Sequence, residues 1–279
     1  MEVQVSKGFL IYAEGADYVQ QAYALALSIK YSQPTINSVS LLTQDPVPEK
    51  YQKVFDQIIP IPWYEQEGGK YSAEHRWKVY HATPYDETIV LDADMLVLED
   101  IAQWWDYCSN YNVKFCNRIQ NYKLETVVDT VNRRAFIANN LSSPYYALHY
   151  FKKSDEALEF YRTLEFVCNN WEWCWTKFAP KEYQKWLSMD LATAITIEIL
   201  LAHEQVFDYN SPLEFIHMKP GIQNWHPVPD TWQDTVTHIL NSRGELIVGN
   251  ILQSKIFHYV EPSFITDKLL TRLGELAHG

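Results

Sequence analysis

Two aspartates separated by one small residue, Asp92-Ala93-Asp94, follow directly on the apolar run 88–91 (TIVL). In a strand, residues two apart point to the same face, so a strand continuing that far would present both carboxylates to one place. Two carboxylates on one side can hold a hard divalent cation, Mn²⁺ or Mg²⁺, which prefers oxygen ligands and keeps positions open for phosphate. Such a cation bridges a diphosphate and neutralises the charge that develops on it as it leaves. A bare pair of this kind is also what two solvated aspartates in a turn look like. The apolar strand before it and the MLVL run at 95–98 after it favour the first reading. Arg76, on the segment preceding that strand, could simply pair with Glu74 or Glu87 at the surface, which contributes little.

The elements needed to place these groups can be read from periodicity. A buried strand is predicted at 8–13 (GFLIYA), a turn at 14–17, and a helix over 18–31 with apolar residues at helical spacing. Further strands are expected at 38–43 and 58–62, a short helix at 49–55, a Gly-containing loop at 65–71, and a helix at 73–82 that Pro84 stops. Alternation of strand and helix predicts an α/β fold, a mostly parallel sheet flanked by helices, with ligands at the carboxyl ends of the strands. The acidic triplet sits at such an end. The second half is less regular. A strand is expected at 147–151, a helix at 154–166 capped by Ser154, a Trp-rich loop at 169–178, a helix at 188–201, and short strands at 215–218 and 255–259.

The bulk properties narrow the function. The 279 residues carry 23 Lys plus Arg against 35 Asp plus Glu, a formal charge of −12, so the overall field repels nucleic acid and anionic lipid. The four cysteines have neither zinc-like spacing nor the density of a disulfide scaffold, which predicts free thiols. The N-terminal residues lack a basic stretch followed by an apolar core, and no apolar run is long enough to span a bilayer, so a soluble, cytoplasmic protein without membrane contact is expected. Ten Trp and 19 Tyr are many for this length, and aromatic faces stack on sugars and bases, although most of them serve as core.

On three stretches the chain resembles the GT-A glycosyltransferases, in particular the retaining glycogenin and galactosyltransferase-like family. They are Ile11-Tyr12-Ala13-Glu14-Gly15-Ala16-Asp17-Tyr18 with the helix that follows, Arg76 with Tyr80, and Ile89-Val90-Leu91-Asp92-Ala93-Asp94-Met95-Leu96-Val97. The likeness covers residues 8–107 well and thins out towards 262. It implies one GT-A domain over 1–279, with 1–107 binding the nucleotide sugar and 108–279 binding the acceptor. It implies that Tyr18 stacks on the base, that Tyr12, Ala13 and Glu14 line the base and ribose pocket, and that Ala93 lies against the ribose. Arg76 would reach the donor phosphates or sugar, and Asp92 and Asp94 would bind Mn²⁺ or Mg²⁺. The family's third ligand is a C-terminal histidine. His258 fits that place better than His217, which would then lie on the acceptor side. Asp190, opening the helix at 188–201, matches an acidic residue that in the family faces the donor sugar and acceptor, which makes it with Arg76 a catalytic candidate, and it is equally a plain helix-dipole residue. Two family features have no match here. The lysine after the histidine is missing, leaving Lys219 or Lys255 for the phosphate, and the usual Asn-Ser-Gly strand is replaced by 144–151. Trp173 and Trp225 belong to the aromatic segments expected to wall the acceptor.

By this resemblance the chain would be a metal-dependent glycosyltransferase, taking its sugar from a nucleotide donor, UDP-linked by family habit, and transferring it to a glycan or small hydroxyl compound with retention. A hydroxylated base in DNA is an alternative acceptor. The charge weighs against it, unless Arg133, Arg134, Lys152 and Lys153 form a local basic strip. A nucleotidyltransferase would want a glycine-rich basic turn after the first strand, where this chain has Ala13-Glu14-Gly15-Ala16-Asp17. A non-catalytic nucleotide-sugar-binding protein is the remaining alternative.

Overall fold

A computed structural model describes residues 5–65, 73–130, 132–182, 186–208, 210–222 and 236–279. The larger sheet is made from the apolar runs of the first half. β1 (Lys7–Tyr12), β2 (Val39–Leu42), β3 (Gln57–Ile59) and β4 (Glu87–Asp92) lie parallel in the order β3-β2-β1-β4. Helix α1 (Ala16–Ser32) and the four-residue α2 (Glu49–Gln52) connect the first three strands. The residues of β1 divide between two cores. Phe9 and Ile11 join α1 on one side of the sheet, and Leu10 and Tyr12 join the helices on the other. The parallel register pairs Tyr12 with Asp92, so both strand ends reach the same edge together.

After β4 the chain departs from the simple βαβ expectation. The strand ends at Asp92, Ala93-Asp94 is a turn, and β5 (Met95–Val97) leaves for a second sheet. Helix α4 (Ala102–Cys108) then leads to β6 (Val113–Cys116), β7 (Arg118–Gln120) and β8 (Thr126–Val127). The long β9 (Tyr145–Lys152) inserts antiparallel between β4 and β6, completing the six-stranded sheet. The second sheet has the order β5-β14-β10-β7-β8, with β10 (Glu214–His217) and β14 (Ile256–His258) parallel neighbours. A third, small sheet joins β11 (His238–Leu240), β12 (Leu246–Val248) and β13 (Ile251–Leu252).

Two helical expectations change. The segment expected as one helix at 73–82 is a 3-10 turn, Arg76–Lys78, followed by the single-turn α3 (Val79–Ala82). It has no side-chain cap at its start, and Tyr80 and Trp77 hold it by burial instead. The Trp-rich segment read as a loop is helix α7 (Trp171–Phe178), because Trp171, Cys174 and Trp175 recur at helical spacing and the last two are buried. It follows α5 (Arg134–Asn139) and α6 (Asp155–Asn169), and precedes α8 (Met189–Leu200) and α9 (His203–Val206). Ser154 does cap α6, accepting from the Ala157 N–H at 3.1 Å. The C-terminal α10 (Asp267–His278), capped by Thr266, packs on α1. All four cysteines are free and buried. No helix among the described residues is long and apolar enough to cross a membrane.

Candidate active site

The two sheets meet where β4 ends and β5 begins. β5 runs antiparallel to β14 with Met95 opposite His258, and the Tyr259 N–H donates to the Asp94 carbonyl at 3.1 Å. This register sets His258 beside Asp94, with Nε2 3.0 Å from Oδ2. Asp92, at the end of β4, lies next to them, and one ligand atom from each of Asp92, Asp94 and His258 falls within 4.8 Å of the others. Ligands about 2.1 Å from one ion stand at most roughly 4.2 Å apart. Small side-chain rotations would therefore close this set around a divalent cation. Two carboxylates and an imidazole suit Mn²⁺ or Mg²⁺, and the His258 Nδ1 is buried with no hydrogen-bond partner among the described residues.

The charges of these groups act strongly on one another. Burial raises the Asp92 carboxyl above the ordinary range, and the neighbouring Asp94 adds to this; Arg76, ion-paired to Asp92, only partly offsets it. Burial would also raise Asp94, but the charge and hydrogen bond of His258 overcome it and hold Asp94 low. His258 is raised in turn: burial would lower it, and Asp94 and Asp92 outweigh that. Asp94 faces His258 and Asp92 faces Arg76, so a bound cation would compete with both partners.

The expected donor residues gather around this point. Tyr12 lies beside Asp92, and its hydroxyl donates to Glu14 at 2.5 Å. Glu14 also accepts from Tyr64 at 3.2 Å, with His75 3.7 Å away. The turn between β1 and α1 requires Gly15, at φ 113, and its N–H donates to Asp45 at 2.7 Å. A Cβ on Gly15 would meet the Tyr18 ring at 3.3 Å, so the part-exposed Tyr18 closes over this turn. Ala13 and Ala93 are buried. The Arg76 guanidinium stands between the Tyr12 and Tyr146 rings, 5.5 and 5.8 Å from their centroids.

From the second half, Asp190 arrives in the first turn of α8, where its Oδ1 accepts the Tyr146 N–H at 2.7 Å and its Oδ2 pairs with Arg133 at 2.7 Å. His217 stacks behind His258, ring centroids 4.5 Å apart and nearly parallel, and is outside the convergent ligand set. Burial and the neighbouring His258 push its pKa well down, which leaves it neutral. Lys219 follows His217 closely enough for its charge to act on that ring. Lys255, the other phosphate candidate, starts at the far end of β14 and is ion-paired to Glu214. Trp173 is not gathered here: it projects from α7, 58% exposed, against Phe166 and Phe178. Trp225 lies outside the described residues. The basic strip does not form either. Arg133 is buried and faces inward, Arg134 pairs with Glu182 on the surface, and Lys153 Nζ donates to the Tyr80 carbonyl.

Sequence reading missed Arg133, Tyr146 and Tyr64 as site groups. Tyr146 alone carried a signal, since it lies in the segment standing where the family's mid-chain strand would be.

No protein-family model matches the chain, and no curated protein matches it by sequence. Solved structures do match. The galactosyltransferase LgtC, in complex with donor and acceptor sugar analogues, aligns at TM-score 0.53 and 14% identity over 97% of this chain and 95% of that one. Mouse xyloside xylosyltransferase 1, in its apo form, aligns at TM-score 0.53 and 12% identity over 91% and 97%. The bifunctional glycosyltransferase WbbM aligns at TM-score 0.52 and 12% identity, over 99% of this chain but 50% of that one. The fold is thus the GT-A fold, a parallel-rich sheet flanked by helices. At these identities the likeness speaks for the fold alone.

Proposed function

We propose that this protein is a metal-dependent glycosyltransferase that moves a sugar from a nucleotide-diphosphate donor, UDP-linked in the first instance, to a hydroxyl of a glycan or small acceptor, with retention. The observation that carries the reading is the convergence of Asp92, Asp94 and His258 at the carboxyl edge of the sheet, beside Arg76. A divalent cation held by these three would supply charge neutralisation at the departing diphosphate. Arg76, released from Asp92, would add a second positive charge there, and Lys219 a third. Tyr18 would stack on the base, Tyr12, Ala13 and Glu14 would line its pocket with the ribose, and Ala93 would allow close approach of the ribose. Asp190 would face the donor sugar. The bond from the anomeric carbon to the diphosphate oxygen breaks, and the acceptor oxygen bonds that carbon on the same face. The acceptor's proton passes to the departing phosphate oxygen. Such a route works by positioning and electrostatic stabilisation and needs no strong protein base. Residues 1–107 would hold the donor and 108–279 the acceptor. The structural neighbours, a galactosyltransferase and a xylosyltransferase among them, are in keeping with this reading.

The test is nucleotide release from a panel of nucleotide sugars with and without Mn²⁺, beside thermal melting. Release from one donor that needs metal and disappears in the Asp92→Ala, Asp94→Ala double variant is the expected result. Nucleotide with metal at about 100 times Kd should stabilise the wild type by about 2.7 kcal/mol and the double variant not at all. No release from any donor, together with no shift by any nucleotide with metal, would overturn the reading.

A further inference from the structure

The surroundings of Arg133 are unusual for an arginine. It is 6% exposed. Its guanidinium lies 3.7 Å from the Tyr145 ring centroid and 4.9 Å from that of Phe136. One terminal nitrogen donates to the Pro144 carbonyl at 2.8 Å, and the other pairs with Asp190 Oδ2 at 2.7 Å. A buried guanidinium needs a counter-charge, and Asp190 supplies it. The second oxygen of Asp190 is held just as firmly by the Tyr146 N–H at 2.7 Å. Tyr146 in turn donates its hydroxyl to the Arg76 carbonyl at 2.7 Å, and Arg76 pairs with Asp92. One network therefore runs from Arg133 through Asp190, Tyr146 and Arg76 to Asp92.

A carboxylate offers about four acceptor directions, and here two are filled, by the Arg133 guanidinium and the Tyr146 N–H. This leaves two directions, fixed in space, for hydroxyl donors. We propose that Arg133 is a positioning residue that locks Asp190 as a hydrogen-bond acceptor for a hydroxyl of the donor sugar, and so sets which hexose is accepted. This rests on the donor-site reading above. A site built to bond a hydroxyl rejects an isomer that places it elsewhere, because a buried acceptor is then left unpaired.

The experiment compares wild type, Arg133→Lys, Asp190→Asn and their double variant, measuring kcat and KM for the preferred donor and its C4 epimer, with stabilisation by UDP and Mn²⁺ as a check on the site. Arg133→Lys keeps the charge but loses the planar fork. It should lower kcat by about 100-fold, the scale of a misplacement near 1 Å. Donor KM and the UDP shift should stay close to wild type, the preference between epimers should collapse, and the double variant should be no worse than the poorer single one. An unchanged kcat and epimer preference in Arg133→Lys would overturn the inference. So would restoration of an inactive Asp190→Gly variant by added formate, which would make Asp190 a reacting group. If Arg133→Lys does not fold, Tyr145→Leu removes the ring under the guanidinium with the charges intact and must show the same split between kcat and KM. A wild type inert towards every donor fails the donor-site reading itself; an active wild type with indifferent Arg133 variants fails this inference alone.

Discussion

His149 ties the core to the site, and its titration should limit stability in acid. Its ring is fully buried, stacked 5.0 Å from Phe115 and packed near Tyr146, Phe151 and Tyr161. Nδ1 lies 2.7 Å from the Tyr146 carbonyl, so it carries the proton and donates. Nε2 is buried with no partner among the described residues. Protonating it would create a cation in an aromatic cage, and burial accordingly pushes the pKa down to about 3. An unfolded histidine titrates near 6.5. With the folded pKa depressed, the contribution to stability is whole above about pH 6.5 and is lost as the pH falls towards 3, because the unfolded chain takes up the proton and the native one does not. Between pH 7 and pH 4.5 the loss from this residue is about 2–3 kcal/mol, a large part of the 5–15 kcal/mol that usually holds a fold together. His149→Phe keeps a ring in the cage and removes the titration. It costs the bond to the Tyr146 carbonyl, about 1 kcal/mol at any pH. Urea unfolding followed by circular dichroism from pH 7.5 to 4.5 should show the wild-type midpoint falling about 1 M further than that of the variant. Other acid-sensitive groups, Asp94 and His217 among them, are present in both proteins and cancel in the difference. Parallel midpoints across this range would refute the argument. Tyr146 carries Asp190 on its N–H and Arg76 on its hydroxyl, so its carbonyl bond to His149 joins the core to the site.

Gly15→Ala puts a Cβ where φ is 113 and the Tyr18 ring is 3.3 Å away. The backbone strain is about 1–3 kcal/mol, and UDP titrated by calorimetry with Mn²⁺ should bind at least about 10-fold more weakly; equal affinity would mean that this turn does not hold the nucleotide. Ser154→Ala removes the acceptor for the Ala157 N–H at the start of α6. Thermal unfolding should show a loss of about 1 kcal/mol with nucleotide binding untouched, since this helix end contributes no group to the site.

What could be read in the chain was what local periodicity encodes. Strands β1, β2 and β4 and helices α1, α6 and α8 follow from apolar spacing and caps a few residues apart. The order of β9 and β6 does not, because antiparallel insertion between distant strands leaves no mark on either run. The α7 segment misleads for a related reason: three tryptophans in five residues look like an exposed aromatic loop until Trp175 and Cys174 are seen to be covered by α8. Arg133 was readable only as surface charge, because the carboxylate that takes it inside stands on another helix far along the chain.

Asp92 and Asp94 come together by a different route from the one that strand alternation predicts. Strand alternation would have set both carboxylates on one face, yet β4 stops at Asp92. Asp94 is brought back because β5 peels away to pair with β14, and that pairing delivers His258 in the same movement. The spacing of the two aspartates therefore serves a strand switch between two sheets, not a continuous strand. This also separates His258 from His217. Both end parallel strands in register with each other, but only β14 borders β5. The histidine next to the switch can reach Asp94, and the one a strand further away can only stack on its back.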